Sequence, residues 1–159
     1  MCWAAGEELY IFTSEKKMKT LVVCSPGGHL VAARKLMKLI PLKSFKYVVH
    51  DYHFSDVDGV PVVIFPHSDR DWRLILQLGQ SLRIILIERP ELIISTGASI
   101  AVSFFFWAKL LRIKSIYVET ASSIKKPTLT ARLVHRLATR MYVRYPELLQ
   151  CLRKARYLG

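Results

Sequence analysis

The chain has 159 residues, enough for one domain with a proper core, and 52% of them are hydrophobic, which excludes a largely disordered protein. Its three cysteines, Cys2, Cys24 and Cys151, lie far apart, so no disulfide framework or metal-binding spacing is present and a reducing compartment is expected. The formal net charge is +12, and residues 109–159 hold 12 of the 24 basic side chains but only Glu119 and Glu147 among the acidic ones; this asymmetry implies an anionic partner such as a membrane surface, nucleic acid or a phosphorylated substrate.

Residues 1–17 contain Glu7, Glu8 and Glu15 and lack a basic start or a long apolar run. They are expected to be an extension outside the core and not a signal peptide, with the domain covering 18–159. No apolar stretch reaches the roughly 18–20 residues of a membrane span. The apolar run at 19–24 predicts a first strand, and Leu30, Ala33, Leu36, Met37 and Ile40 have the spacing of a helix over 28–40. Strands follow at 45–50 and 60–65, the second preceded by a polar turn with Asp56, Asp58 and Gly59. A long helix is expected over 70–88, ended by Arg89 and Pro90. Then come a strand at 92–95, a helix at 98–111, a strand at 115–118, a helix at 128–139 and a short strand at 141–143. Pro146 suits the first position of a last helix. Strand–helix alternation of this kind predicts an α/β fold with a doubly wound parallel sheet.

Three small polar loops follow predicted strands and precede helices: Ser25, Pro26, Gly27, Gly28 and His29; Ser95, Thr96, Gly97, Ala98 and Ser99; Glu119, Thr120, Ala121, Ser122 and Ser123. In open α/β sheets ligands bind at the carboxyl edge of the strands. Adjacent glycines at a helix start let backbone N–H groups approach an anion closely. The alternative at each loop is an ordinary strand–helix turn, with Ser and Thr as N-caps and His29 as a capping histidine. The glycine spacing does not fit the dinucleotide fingerprint. His29 and Glu119 are the two groups at this edge with acid–base potential, His29 as a general base and Glu119 as its orienter, a sugar ligand or a helix cap. His50, His53, His67 and His135 show no ligand spacing, so no metal is expected, and no cofactor either.

Two further features carry alternatives. Phe104, Phe105, Phe106 and Trp107 cover more than one helical turn, so at least one ring must point away from the sheet, toward a second layer, a membrane or a partner. On the helix over 128–139, Leu129, Leu133 and Leu137 share one face while Arg132, Arg136 and Arg140 recur at intervals of four on another. Such a helix suits either an anionic membrane surface or ordinary solvent.

Ser-Pro-Gly-Gly-His-Leu at 25–30, Ser-Thr-Gly-Ala-Ser at 95–99, Tyr-Val-Glu-Thr-Ala-Ser at 117–122 and Val-Arg-Tyr-Pro-Glu-Leu at 143–148 resemble the PssD / asparagine-linked glycosylation protein 14 family. The resemblance covers about 19–159. It implies a Rossmann-like domain equivalent to the N-terminal half of a GT-B glycosyltransferase. The chain is also similar to the N-terminal half of MurG, whose glycine-rich loop ends in a histidine and whose fifth strand ends in a glutamate. The implied activity is that of the acceptor-side subunit of a two-chain inverting glycosyltransferase. A separate donor-side subunit binds the nucleotide sugar, and the acceptor is a polyprenyl-diphosphate-linked saccharide. His29 and Glu119 match the catalytic positions; Ser25, Gly27, Gly28, Thr96, Gly97 and Ser99 match the acceptor and diphosphate loops. Phe104, Phe105, Phe106, Trp107, Arg132, Arg136 and Arg140 would meet an anionic membrane or the partner. Nucleic acid is not an expected partner. Eukaryotic members carry an N-terminal membrane helix that this chain lacks. That points to a bacterial protein bound peripherally at the cytoplasmic face of the plasma membrane, in capsule or exopolysaccharide synthesis. Many relatives carry Gln-Trp where this chain has Arg144 and Tyr145. Two competing readings are a non-catalytic anchor that recruits and activates the donor-side subunit and a stand-alone nucleotide- or nucleic-acid-binding Rossmann domain.

Overall fold

The computed structural model describes residues 18–40, 42, 44–50, 56–65, 74–120 and 126–158. The predicted 1–17 extension, the 70–73 start of the long helix and the 121–123 part of the third loop lie outside these residues. In chain order the elements are β1 (Thr20–Cys24), α1 (Gly28–Leu39), β2 (Phe45–Val49), β3 (Asp56–Val57), β4 (Val60–Ile64), α2 (Leu74–Glu88), β5 (Leu92–Ser95), α3 (Ile100–Leu110), β6 (Lys114–Glu119), α4 (Leu129–Val134), β7 (Arg140–Val143), a 3₁₀ turn (Pro146–Gln150) and β8 (Ala155–Tyr157).

The strands form one sheet in the order β3-β4-β2-β1-β5-β6-β7-β8. Only β3 runs antiparallel to its neighbour; the other pairings are parallel. This is the expected Rossmann-like, doubly wound arrangement. The chain leaves β1 in one direction through β2 and β4, then returns over α2 to place β5 on the other side of β1. That reversal makes the β1/β5 boundary the topological switch point, where the carboxyl ends of two strands open a crevice.

The strand sequences explain the layering. β1 and β5 are buried along their whole length, so both read as continuous apolar runs and not as alternating ones. Their side chains divide between two cores by the two-residue period of a strand. Leu21, Val23, Ile93 and Tyr117 pack under α2, α3 and α4 with Phe104, Phe105 and Ala131. Val22, Cys24, Ile94, Ile116 and Val118 face α1 through Leu30, Ala33 and Met37.

Three sequence expectations need correction. First, α4 ends at Val134, and 135–139 form a turn in which Leu137 and Ala138 both donate to the Val134 carbonyl. Ala131 and Val134 are its buried residues, while Leu129 and Leu133 are exposed. Arg140 begins β7, so Arg132, Arg136 and Arg140 do not share a helical face. They run from α4 down to the amino edge of the sheet, away from the switch-point crevice. Second, Phe104 and Phe105 are fully buried and belong to the core; neither can meet a membrane or a partner. Trp107 is half-buried, with its indole N–H donating to the Leu78 carbonyl at 2.8 Å, which ties α3 to α2. Phe106 is the outward ring, 43% exposed. Third, the last helix is a single 3₁₀ turn followed by an unexpected edge strand, β8, paired with β7.

Candidate functional site

Gly27 opens α1 with φ of 83°, a left-handed conformation natural to glycine, and no side chain caps the helix. The first α1 hydrogen bond runs from Val31 N–H to the Gly27 carbonyl at 3.1 Å. By helix geometry the N–H groups of Gly28, His29 and Leu30 therefore have no acceptor inside the helix. Gly27 and Gly28 are exposed, and a Cβ at either would meet nothing within 4 Å. The approach of a ligand to these N–H groups is thus open, and the positive end of the helix dipole favours an anion there.

His29 stands at the β1/β5 switch point, and the loop after β5 encloses it. Its Nδ1 lies 2.9 Å from the Thr96 carbonyl oxygen. The Thr96 hydroxyl donates to the His29 carbonyl at 2.8 Å. The Thr120 hydroxyl donates to the same Thr96 carbonyl at 3.3 Å and lies 3.5 Å from Nδ1. Ser95, fully buried, folds the loop back on itself: its hydroxyl donates to the Gly97 carbonyl at 3.1 Å and accepts from the Gly97 N–H at 3.2 Å. Ser99 caps α3 without a side-chain hydrogen bond.

Glu119 closes β6 with 2% of its surface exposed. The Thr128 hydroxyl, which also caps α4 by accepting from Ala131 N–H at 3.1 Å, donates to the Glu119 carboxylate at 3.4 Å. Burial raises the Glu119 carboxyl above the ordinary carboxylate range; hydrogen bonds from Tyr117 and Thr128 and the nearby His29 pull it back in part. The carboxylate is thus tied to the start of α4, and the imidazole is oriented by the Thr96 carbonyl.

A raised carboxyl pKa has a definite signature. The unfolded chain loses the proton at the ordinary value, so the stability contribution is complete below that value. It declines as pH rises through the folded-state value. Glu119→Gln removes this titration while keeping an acceptor for Thr128. The variant is expected to melt above wild type at pH 7–8, with the gap closing toward pH 4. Thermal melts across that range check this; a variant that falls progressively below wild type as pH rises would contradict it.

His29 and Glu119 line one cleft of about 600 Å³ together with Gly28, Thr96 and Thr120. The structure thus brings both acid–base candidates, and residues from all three loops, to one place. Sequence reasoning missed several lining residues. Lys35 and Arg144 place two cations on the cleft walls, and Val31, Leu36 and Leu39 of α1 give it an apolar flank. Leu39 is 80% exposed. The helical spacing of 31, 35 and 39 was a usable signal for that flank, because these positions share a face distinct from the buried Leu30, Ala33 and Met37. No group of acidic, histidine and cysteine side chains suited to a metal ion occurs among the described residues. No helix among them is long and apolar enough to cross a membrane.

Comparison with solved structures finds the same fold in several larger proteins. Acinetobacter baumannii MurG aligns over 81% of this chain and 42% of its own, with a TM-score of 0.64 and 12% identity. Methanocaldococcus jannaschii UDP-GlcNAc 2-epimerase in complex with UDP-GlcNAc and UDP aligns over 89% of this chain and 46% of its own, with a TM-score of 0.66 and 13% identity. S. aureus MnaA with UDP aligns over 87% and 44%, with a TM-score of 0.65 and 12% identity. The chain thus spans less than half the length of these matched proteins, and at such identity the likeness shows the fold. A sequence comparison with curated proteins gives no match. The model of the family described as "Oligosaccharide biosynthesis protein Alg14 like" matches residues 70–159. With more than half of its length matched, including the β5 and β6 loops that close around His29, the chain belongs to the Alg14-like family of oligosaccharide biosynthesis proteins.

Proposed function

We propose that this chain is the acceptor-binding, membrane-associating subunit of a two-chain inverting glycosyltransferase. It would act on a polyprenyl-diphosphate-linked saccharide, with a nucleotide sugar held by a separate donor-side subunit, in bacterial capsule or exopolysaccharide synthesis. The observation that carries the reading is His29, seated at the switch point of a Rossmann-like sheet beside the open N-terminus of α1. In the proposed reaction the acceptor hydroxyl attacks C1 of the donor sugar. The new O–C1 bond forms as the bond from C1 to the nucleoside diphosphate breaks, and the hydroxyl proton passes to His29. The N–H groups at the start of α1, with Lys35 and Arg144, would hold the acceptor diphosphate.

The apolar flank of the cleft supports a lipid-linked acceptor. Val31 is half exposed beside the site, and Ile75 and Leu76 are exposed where α2 starts at the carboxyl edge of the sheet. A site whose rim is aliphatic can rest against a bilayer while its polar loops meet the headgroup region. On this reading the protein sits peripherally at the cytoplasmic face of the membrane.

The test is reconstitution. The purified chain, incubated with labelled nucleotide sugars and polyprenyl-diphosphate acceptor, is expected to give no transfer, because on this reading the nucleotide-sugar site belongs to the donor-side subunit. Adding the donor-side subunit is expected to restore transfer with inversion at C1. Robust turnover by the isolated chain would refute the two-chain reading.

A further inference from the structure

We propose that Gly97 and Thr120, acting with the main-chain carbonyl of Thr96, are positioning residues that hold His29 in one tautomer, with the proton on Nδ1 and the lone pair on Nε2. The inference rests on the reading of His29 as the base. It gives the β5 loop a role toward the imidazole in place of the diphosphate contact expected for Gly97.

The hydrogen-bond bookkeeping leaves one consistent assignment. A carbonyl oxygen can only accept. At 2.9 Å from the Thr96 carbonyl, Nδ1 must therefore carry a hydrogen, since a lone pair there would face another lone pair. The Thr120 hydroxyl has one hydrogen, and it points to the same carbonyl at 3.3 Å. Its oxygen then faces Nδ1 at 3.5 Å as a second acceptor for that N–H. The Thr96 carbonyl demands this tautomer, and the Thr120 hydroxyl accommodates it. In a neutral imidazole the other nitrogen, Nε2, is then the proton acceptor.

Gly97 supplies the space. It adopts φ of 125°, and a Cβ built on it would lie 2.5 Å from His29 Nδ1 and closer still to Cε1, under the distance any real Cβ shows. The ring thus lies directly on the Gly97 backbone, and any side chain there would push it off the Thr96 carbonyl. Thr96 locks the arrangement from the other direction, its hydroxyl holding the His29 main chain at 2.8 Å. Two loops 67 residues apart therefore fix one imidazole at both its backbone and its ring.

The experiment has a spectroscopic arm and a kinetic arm. The full chain is labelled with ¹⁵N-histidine, and the His29 ring is identified by loss of its signals in His29→Gln. Spectra are recorded at about pH 8.5, where imidazoles are neutral. Wild type is expected to show a single Nδ1–H tautomer. Gly97→Ala, which pushes the ring off the Thr96 carbonyl, is expected to give a mixture; Thr120→Val, which removes only the weaker second acceptor, a smaller admixture of the Nε2–H form; and Thr120→Ser is expected to keep the wild-type pattern. In the assembled two-chain enzyme Gly97→Ala is expected to lower kcat about 100-fold, the scale of a displaced catalytic group, with KM changed much less. A wild-type ring that is mixed or protonated on Nε2 overturns the proposal. So does a lock that survives both variants. Should Gly97→Ala fail to fold, the wild-type tautomer and the Thr120 pair still decide the matter. A tautomer that becomes mixed in the variants with turnover unchanged would uphold the positioning role and sink the reading of His29 as the base.

Discussion

Replacing His29 by Ala is expected to lower turnover of the assembled enzyme about 10²–10⁴-fold, the usual contribution of a general base. Fold and partner binding should survive. His29 is only half-buried, its backbone carbonyl keeps the bond from Thr96, and alanine is a good helix former at the second position of α1. The loss should fall on kcat, because the imidazole would act on the proton that moves in the transition state. Steady-state kinetics of the reconstituted pair, with circular dichroism and co-purification as controls, measure this. Near wild-type kcat would place the base elsewhere. The chain would then act as a membrane anchor and activator for the donor-side subunit, and His29 as part of the turn.

The aromatic run offers the second large effect. Phe105 is fully buried under α3 and meets the Tyr117 ring edge-on, with centroids 6.0 Å apart. Phe105→Ala is expected to cost about 3–5 kcal/mol, through lost burial and the cavity it leaves. For a domain of this size that lowers Tm by roughly 6–20 °C. Its sequence neighbour behaves differently. Phe106 is exposed and rests edge-on against Trp107, with centroids 5.1 Å apart. Phe106→Ser should cost about 1 kcal/mol, the scale of one exposed aromatic pair. Thermal and denaturant unfolding of the two variants decide the assignment. Equal destabilisation would mean that α3 is rotated from the orientation described.

Much of the architecture was legible because β1, β5 and β6 are buried along nearly their whole length. Burial on both faces leaves uninterrupted apolar runs in the sequence, and the glycines and hydroxyl residues that follow mark the strand ends. Since parallel strands all finish at one edge, the loops at Gly27 and Gly97 could be assigned to a shared crevice before any contact was known. What remained open depended on partners distant in sequence. Residues 135–139 include Arg136, Leu137 and Ala138, all good helix formers, so local propensity alone continues α4. The structure ends it early because Thr139 must reach Ser115. Thr139 N–H donates to the Ser115 hydroxyl and Ser115 N–H to the Thr139 hydroxyl, both at 3.1 Å, and this sets Arg140 beside Ile116 in the sheet. β8 escaped notice for the same reason: Ala155, Arg156 and Tyr157 form no apolar run, and pairing with β7 alone makes them a strand. The helical period of 104–107 required one ring to face outward, but only packing against α2 and β6 decided that it is Phe106. In the same way the sequence brought forward His29 as an imidazole at a strand edge. Its orientation by the Thr96 carbonyl, and the absence of a Cβ at Gly97 that allows it, follow from the pairing of β1 with β5, which no local pattern encodes.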